Sequence, residues 1–500
     1  MKELKRREFL QWTAGAALGL AVNRTDPMLA TAERLAGETP LETAEKDLVF
    51  LTASTMAALV RRHKISSGEL LTAHLEQIER HNHALNAIVT LDVDRARERA
   101  KLADEALSRG EIWGPLHGVP VTIKDALETA GLRTTAGFPP LKDYIPKEDA
   151  TVVARLRAAG AIILGKTNMP TLAAGYYTDN PVFGMTNNPW NLGYTPGGST
   201  GGGAAAVAAG MSPLEIGSDI AGSIRWPAHC CGLFALKPTE WRVPTTGHIP
   251  ELPGRPRGVR HQLVLGPLAR SVEDLVLALH IIAGPDNKMW EVPPVDLPAE
   301  RPVSLRGLKV AFVTRFGSVP ITRATQDGLD NLARNLSARG AKVEHAEITH
   351  FDFESADAMN ETLIHAEAPD RPDQPAVTMR TYVDLLAQKD AFTAGIEGFL
   401  DRFDVLICPA ASRPAFPHTD GAVDQSVDGK MVEYGTAAGW YLTPFSLTGH
   451  PAVILPLTRS SEGLPIGVQL VGKRWSEPRL LSIAAAVAKV GGPFVRPPGF

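Results

Sequence analysis

Apolar residues along this chain recur in two alternating periods. From about residue 45 to 81 the spacing is helical. Ser66 and Glu69 have the separation of a capping box, and Leu70, Leu71, Leu75 and Ile78 then recur on one face. Short apolar runs at 86–91, 119–123 and 161–164 have strand length, and helical patterns at 94–108 and 150–159 fall among them. Further on, a helix at 271–283, a strand at 308–313, a helix at 325–339 and a strand at 342–348 are predicted. Strands at 405–408, 453–457 and 466–471 and a helix at 477–489 complete the pattern. Residues 369–399 read as irregular, then helical, either a cap over a pocket or a surface excursion. Apolar strands interleaved with amphipathic helices predict an α/β layer fold with helices on both faces of a largely buried sheet. Strand-rich segments at both ends favour one large domain over two.

Composition narrows the function classes. The chain has 500 residues, 44% hydrophobic and 21% charged, which is ordinary globular usage with ample length for a large core. The net charge of −4 and the absence of a Lys/Arg stripe give nucleic-acid binding no electrostatic support. Three cysteines, Cys230, Cys231 and Cys408, cannot build a disulfide framework and are expected as buried thiols. At the N-terminus Arg6-Arg7 precede Glu8-Phe9-Leu10, a mildly apolar run at 13–22 is too short to span a bilayer, and Ala30-Thr31-Ala32 has a small-x-small pattern. This resembles a twin-arginine signal, read by the export machinery that carries folded proteins across bacterial membranes. The expected organisation is a signal over 1–32, cleaved after Ala32, and a mature domain over 33–500 in the periplasm or otherwise exported. No other stretch is long and apolar enough to span a membrane.

The chemistry concentrates in two glycine-rich segments and one strand end. In TPGGSTGGG, residues 195–203, the glycines permit positive φ and close backbone approach. The Ala-rich run at 203–209 is a helix former, so Ser199 lies at or just before a helix N-terminus, where developing negative charge is favoured. The segment lacks the Gly-Lys-Ser/Thr ending of a phosphate-binding loop. Gly197-Gly198-Ser199-Thr200-Gly201 does match G-x-S-x-G, which would make Ser199 a nucleophile needing a histidine, with His418 and His450 available. The other reading makes Ser199 a relay and Ser223, in GSDIAGSIRWPA, the nucleophile. The tight approach to Ser223 can turn the amides of Ile220, Ala221, Gly222 and Ser223 into one concavity, an oxyanion site where a single donor contributes about 3–4 kcal/mol. Asp219 and Arg225 either pair to brace this loop or are solvated surface charges. Lys124, at the end of the 119–123 strand, is either snorkelling or salt-bridged, or it is a buried neutral base. Neutrality at pH 7 costs about 4–5 kcal/mol, within reach of burial and hydrogen bonding.

Taken together, GVPVTIKD around Lys124, GGSTGG around Ser199 and GSDIAGSIRWPA followed by CGLFALKPT resemble the amidase signature family. GKTNMP at 165–170, FGMTNNPW at 183–190, GPLARSVEDL at 266–275 and PIGVQLVG at 465–472 extend the resemblance over roughly residues 50–490. It implies a single large α/β/α domain around a mixed sheet, with neither metal nor organic cofactor. It also implies Ser223 as acyl-forming nucleophile, Ser199 on a cis peptide bond as proton relay, and neutral Lys124 as base. The amides of 220–223 would be the oxyanion hole, and a small-molecule amide the substrate. Thr200 stands where the family has a second serine, and Ala221 where glycine is common; neither removes a reacting group. The family also contains a tRNA-dependent amidotransferase component, against which the export signal and the lack of a basic surface argue. Ala173 and Ala174, beside Tyr176 and Tyr177, are candidates for the acyl pocket or for plain core packing. A histidine-dependent esterase and a non-catalytic exported binding protein are the competing functions.

Overall fold

The computed structural model describes residues 27–36, 47–249, 251–255, 257–349, 351–367 and 377–500. Among these, eleven strands form one mixed sheet. They are β1 (Ile88–Leu91), β2 (Pro120–Lys124), β3 (Ile162–Thr167), β4 (Leu214–Asp219), β5 (Phe234–Lys237), β6 (Val264–Ala269), β7 (Lys309–Phe312), β8 (Lys342–His345), β9 (Val405–Pro409), β12 (Ala452–Arg459) and β13 (Pro465–Val471). A separate hairpin supplies β10 (Gln425–Val427) and β11 (Lys430–Val432). The spatial order is β1-β3-β2-β4-β6-β5-β12-β13-β9-β7-β8. Strands β3, β2 and β4 run parallel, as do β9, β7 and β8, and antiparallel pairs join the two parallel blocks.

Period-two alternation sends each strand's residues to opposite layers. Val121 and Ile123 of β2, Val405 and Ile407 of β9, and Val453 and Leu455 of β12 enter one core; Leu406, Cys408, Ala452 and Ile454 enter the other. The first layer holds α1 (Pro27–Ala36), α2 (Ala53–Arg61), α5 (Thr151–Ala158), α8 (Val272–Ile282), α9 (Arg323–Ala338) and α14 (Glu477–Gly491). The second holds α6 (Gly201–Ala208), α7 (Arg225–Cys231), α10 (Phe353–Glu367), α11 (Met379–Leu400), α12 (Tyr434–Gly439) and α13 (Thr443–Leu447). Helices α3 (Ser67–Leu85) and α4 (Val93–Ser108) pack over β1 and β3. The expected α/β/α domain with helices on both faces is the observed one.

The helical pattern read over 45–81 is a 3-10 turn (Leu48–Phe50) and two α-helices, the latter separated where His63 takes a positive φ of 54° and Ser66 opens α3 with both bonds of its capping box. Strands β4 and β6 escaped the hydrophobic pattern because LEIGSD and VLGPLA carry glycine and, in β6, a proline. Those residues argue against a strand locally, but burial and pairing on both sides override them here. All three cysteines are free and buried. No helix among the described residues is long and apolar enough to cross a membrane.

Residues 1–26, with Arg6-Arg7 and the run at 13–22, lie outside the described residues. Helix α1 does not. Leu29 and Ala32 are buried, with Ala32 in the first-layer core. Glu33 pairs with Arg61 at 2.7 Å and Arg62 at 2.8 Å. A boundary after residue 32 therefore runs through a helix docked on the domain. A chain begun at Glu33 is expected to be about 2 kcal/mol less stable than one begun at Pro27, through lost burial of Leu29 and Ala32. Urea unfolding of the two chains measures this as a lower midpoint at an unchanged slope.

Candidate active site

The site forms where parallel β2 and β4 end side by side, with Thr122 opposite Glu215 and Ile123 opposite Ile216. Lys124 is the last residue of β2 and is fully buried. Its Nζ stands 2.6 Å from Ser199 Oγ and 3.0 Å from Ser218 Oγ, the latter near the end of β4. Ser199 comes in from the loop before α6, and its peptide bond with Gly198 is cis. Thr200 caps α6, and its N–H donates to the Ser223 carbonyl at 3.1 Å, joining the two serine loops. The methyl that distinguishes Thr200 from serine rests on Gly217, where a Cβ would lie 2.5 Å from it. Ser223, 6% exposed, lines the adjoining cavity, and no hydrogen bond joins its hydroxyl to Ser199.

The turn carrying Ser223 is organised by one buried ion pair. Arg225 reaches both oxygens of Asp219, at 3.0 and 2.9 Å, with both side chains fully buried. Its remaining donors reach Leu442 O, Gln469 Oε1 and Ser446 Oγ at 2.7–2.9 Å. Asp219 also accepts the N–H groups of Gly222 (2.8 Å) and Ile224 (3.0 Å). Burial alone would raise the Asp219 pKa, but Arg225 and these donors hold it at about 2. Of the two readings of these charges, the bracing pair is the observed one. Gly222 has φ +116°, and a Cβ there would sit 2.5 Å from Leu442, so the turn takes glycine on both counts. Because the Gly222 amide is committed to Asp219, three of the four amides expected at an oxyanion site, those of Ile220, Ala221 and Ser223, have no partner among the described residues. The Tyr176 hydroxyl donates to the Ala221 carbonyl at 3.0 Å and fixes that peptide's orientation.

A cavity of about 340 Å³ opens onto Ser199, Ser218 and Ser223. Ala173, Ala174 and Tyr176 line it, in keeping with the acyl-pocket reading of that stretch. Tyr177 turns away, stacking on Tyr434 at 5.3 Å and donating to Pro417 O. Sequence reasoning missed Ser218, His248 and the apolar wall of Leu252, Val259, Leu263 and Ile364. Ser218 was visible in the GSD of the serine motif; the 245–263 stretch has no period to read. His418 and His450 do not line the cavity. Buried His450 hydrogen-bonds Thr448 Oγ1 and stands 3.2 Å from Glu397.

Burial pushes the Lys124 pKa down to about 7 against the pull of Asp219 and Glu215. Two more lysines are fully buried, with burial lowering Lys166 to about 8 and Lys237 to about 7. They donate elsewhere: Lys166 to Leu127 O, Thr129 and Thr134, and Lys237 to Pro238 O and His450 O. Lys124 thus brings a readily deprotonated amine to Ser199, a geometry that can move a proton between them.

The chain belongs to the amidase family, which it matches over residues 69–374 and 370–481. It is an amide-hydrolase-family enzyme by sequence and by fold. It is 33% identical over 485 residues to a glutamyl-tRNA(Gln) amidotransferase component of Synechococcus sp. (strain CC9605), covering 87% of this chain and 95% of that one. It is 32% identical over 466 residues to an indoleacetamide hydrolase of Bradyrhizobium diazoefficiens, covering 88% and 86%. Among solved structures, a 6-aminohexanoate cyclic dimer hydrolase complexed with substrate superposes with a TM-score of 0.78 at 27% identity, covering 90% of this chain and 99% of that one.

Since removing one partner of a buried ion pair strands the other charge, Arg225→Met is expected to cost about 3–5 kcal/mol. Chemical denaturation of the variant beside wild type reads that loss.

Proposed function

We propose that the protein hydrolyses a carboxamide C–N bond through Ser223, Ser199 and Lys124. The carrying observation is the contact of a buried, readily deprotonated Lys124 with Ser199 at the mouth of the Ser223 turn. Ser223 Oγ attacks the amide carbonyl; its proton passes to Ser199 as the Ser199 proton passes to neutral Lys124 Nζ. Negative charge collects on the former carbonyl oxygen beside the free amides of Ile220, Ala221 and Ser223. The C–N bond then breaks as the proton returns through Ser199 to the leaving nitrogen, releasing ammonia or an amine and leaving a Ser223 ester. Water adds to the ester by the same route, giving the carboxylic acid and free Ser223.

The cavity wall supports a neutral, apolar acyl group. The described residues lining it include no charged side chain, so a charged substituent would lose its hydration without a partner among them. The indoleacetamide and cyclic-dimer hydrolases among the relatives agree with that chemistry. For the amidotransferase relatives' tRNA, a net charge of −4 offers no attraction.

We further propose export through the twin-arginine route, on the strength of Arg6-Arg7 and the following apolar run. Processing after Ala32 would remove Leu29 and Ala32 from the folded domain, whereas processing N-terminal to Pro27 would retain them. Replacing Arg6 and Arg7 by lysine is expected to leave the protein in the cytoplasm, as cell fractionation would report.

Against a panel of primary amides and anilides, Ser223→Ala is expected to lower kcat/KM at least about 10⁴-fold, scored by ammonia or amine release. Because Lys124 must be neutral to accept the proton, wild-type kcat/KM is expected to rise with pH to a plateau above about 7. One pH unit below that value it should be about tenfold lower. Wild-type and Ser223→Ala proteins releasing product equally would defeat this reading.

A further inference from the structure

One polar side chain at the catalytic end of the cavity has no use in the reaction above. His248 lines the cavity with Ser199, Ser218 and Ser223, is 2% exposed, and neither ring nitrogen has a hydrogen-bond partner among the described residues. The other polar ring in the wall is already engaged, since the Tyr176 hydroxyl donates to Ala221 O. His248 is also held firmly. Glu128 N–H donates to Gly247 O at 2.8 Å and Ile249 N–H to Ala126 O at 2.7 Å, so 247–249 pairs with the chain that leaves β2 just after Lys124. The His248 N–H bonds Thr245 O at 3.0 Å. The His248 backbone is therefore fixed beside the cavity, and the side chain it carries is part of the cavity wall.

Fixed, buried and unpartnered is a costly state for a polar ring. A leucine would fill the volume without leaving a donor and an acceptor unmatched, so an unmatched pair here calls for a physical reason. A catalytic base is not that reason, because Ser199 is partnered by Lys124 and no bond joins His248 to either serine. Burial, with the neighbouring Lys124 charge, depresses the His248 pKa to about 3, so the ring is neutral and presents one N–H donor and one lone-pair acceptor. Phe138, Leu172, Leu252, Val259 and Leu263 surround the same space with hydrocarbon.

We propose that His248 determines substrate specificity by hydrogen-bonding an uncharged heteroatom, a hydroxyl or a ring N–H, on the acyl group of the amide. The substrate class is then a neutral aromatic or alicyclic carboxamide with one hydrogen-bonding heteroatom on its acyl part. This rests on the amidase reading of Ser223, Ser199 and Lys124. Sites built to hydrogen-bond a substrate group discriminate strongly against analogues that lack it, whereas apolar pockets discriminate weakly.

The test uses primary amides, whose leaving group is ammonia, so the group inside the cavity is acyl by construction. Matched pairs are 4-hydroxy- and 4-methylphenylacetamide, 3-hydroxy- and 3-methylphenylacetamide, and indole-3-acetamide and 1-naphthylacetamide. In at least one pair, wild type is expected to favour the hydrogen-bonding member by about tenfold or more in kcat/KM. His248→Leu should erase that ratio while retaining turnover of the hydrocarbon member, and His248→Asn, which keeps a neutral donor and acceptor, should restore part of it. Wild type without preference in any pair overturns the proposal. So does His248→Leu with ratios unchanged, or with all substrates slowed equally. If His248→Leu does not fold, the ratios of His248→Asn and His248→Gln decide, and values identical to wild type in both overturn it. Failure of the underlying amidase reading looks different: wild type would then release no more ammonia than Ser223→Ala from any of the six amides.

Discussion

The buried pairing of Asp219 with Arg225 is the constraint on which the rest of the site depends. Five of the contacts that shape the Ser223 turn pass through it: both Asp219 oxygens to the guanidinium, the Gly222 and Ile224 amides to the carboxylate, and Arg225 onward to Leu442. A buried pair gains little in net stability over a hydrophobic substitute. Its gain here is geometric. By drawing the Gly222 amide inward, Asp219 fixes the peptides on either side, so that the amides of Ile220, Ala221 and Ser223 are left unspent. Arg225 extends the constraint across the sheet to Gln469 on β13 and Ser446 on α13. The turn is thereby referred to elements distant in sequence but continuous with the core.

Lys124 shows why environment, not residue type, confers reactivity. Lys124, Lys166 and Lys237 are all fully buried, and burial lowers the pKa of each. Lys166 and Lys237 have carbonyl oxygens among their partners, acceptors that cannot give up a proton. Lys124 alone of the three meets only hydroxyl groups, Ser199 and Ser218. A hydroxyl can donate to an amine as well as accept from an ammonium, so each partner of Lys124 can exchange a proton with it, which a carbonyl partner cannot do. The parallel ends of β2 and β4 supply the shared rim that makes the contact possible.

What the sequence made legible divides along the same physical line. Lys124, Ser199, Ser223, Asp219 and Arg225 stand in contiguous motifs, where glycine permits close approach and local order dictates geometry. Many helices and buried strands were readable from their periods, but the helix Phe353–Glu367 and the strand Phe234–Lys237 were not read, and some ends moved by three or four residues. The brace between Asp219 and Arg225 could be named from their flanking positions, but its partners Leu442, Ser446 and Gln469 could not, because they arrive through tertiary pairing. Strands β4 and β6 were hidden by their glycine and proline. The commitment of the Gly222 amide to Asp219 was likewise invisible, since the four amides of 220–223 look equivalent in a sequence. His248 had no signal at all. It is an isolated histidine in an aperiodic stretch, and only the pairing of 247–249 with 126–128 brings it beside Lys124.

This division also bears on why family membership shows the class of enzyme and leaves the substrate open. The groups proposed to react, Lys124, Ser199 and Ser223, hang on a strand end and on the turns before two helices. The wall that meets the acyl group comes from elsewhere: Leu252, Val259 and Leu263 from an irregular connection, and Ile364 from α10. These side chains contribute volume and apolarity, properties that many residue combinations satisfy equally, so they can vary without disturbing the chemistry. His248 sits at the junction of the two regions, its backbone tied to the β2 extension and its side chain in the cavity wall with Leu252, Val259 and Leu263. A polar group in that position can impose selectivity on an otherwise permissive hydrocarbon pocket, because its unmet hydrogen bonds act against every ligand that fails to supply them.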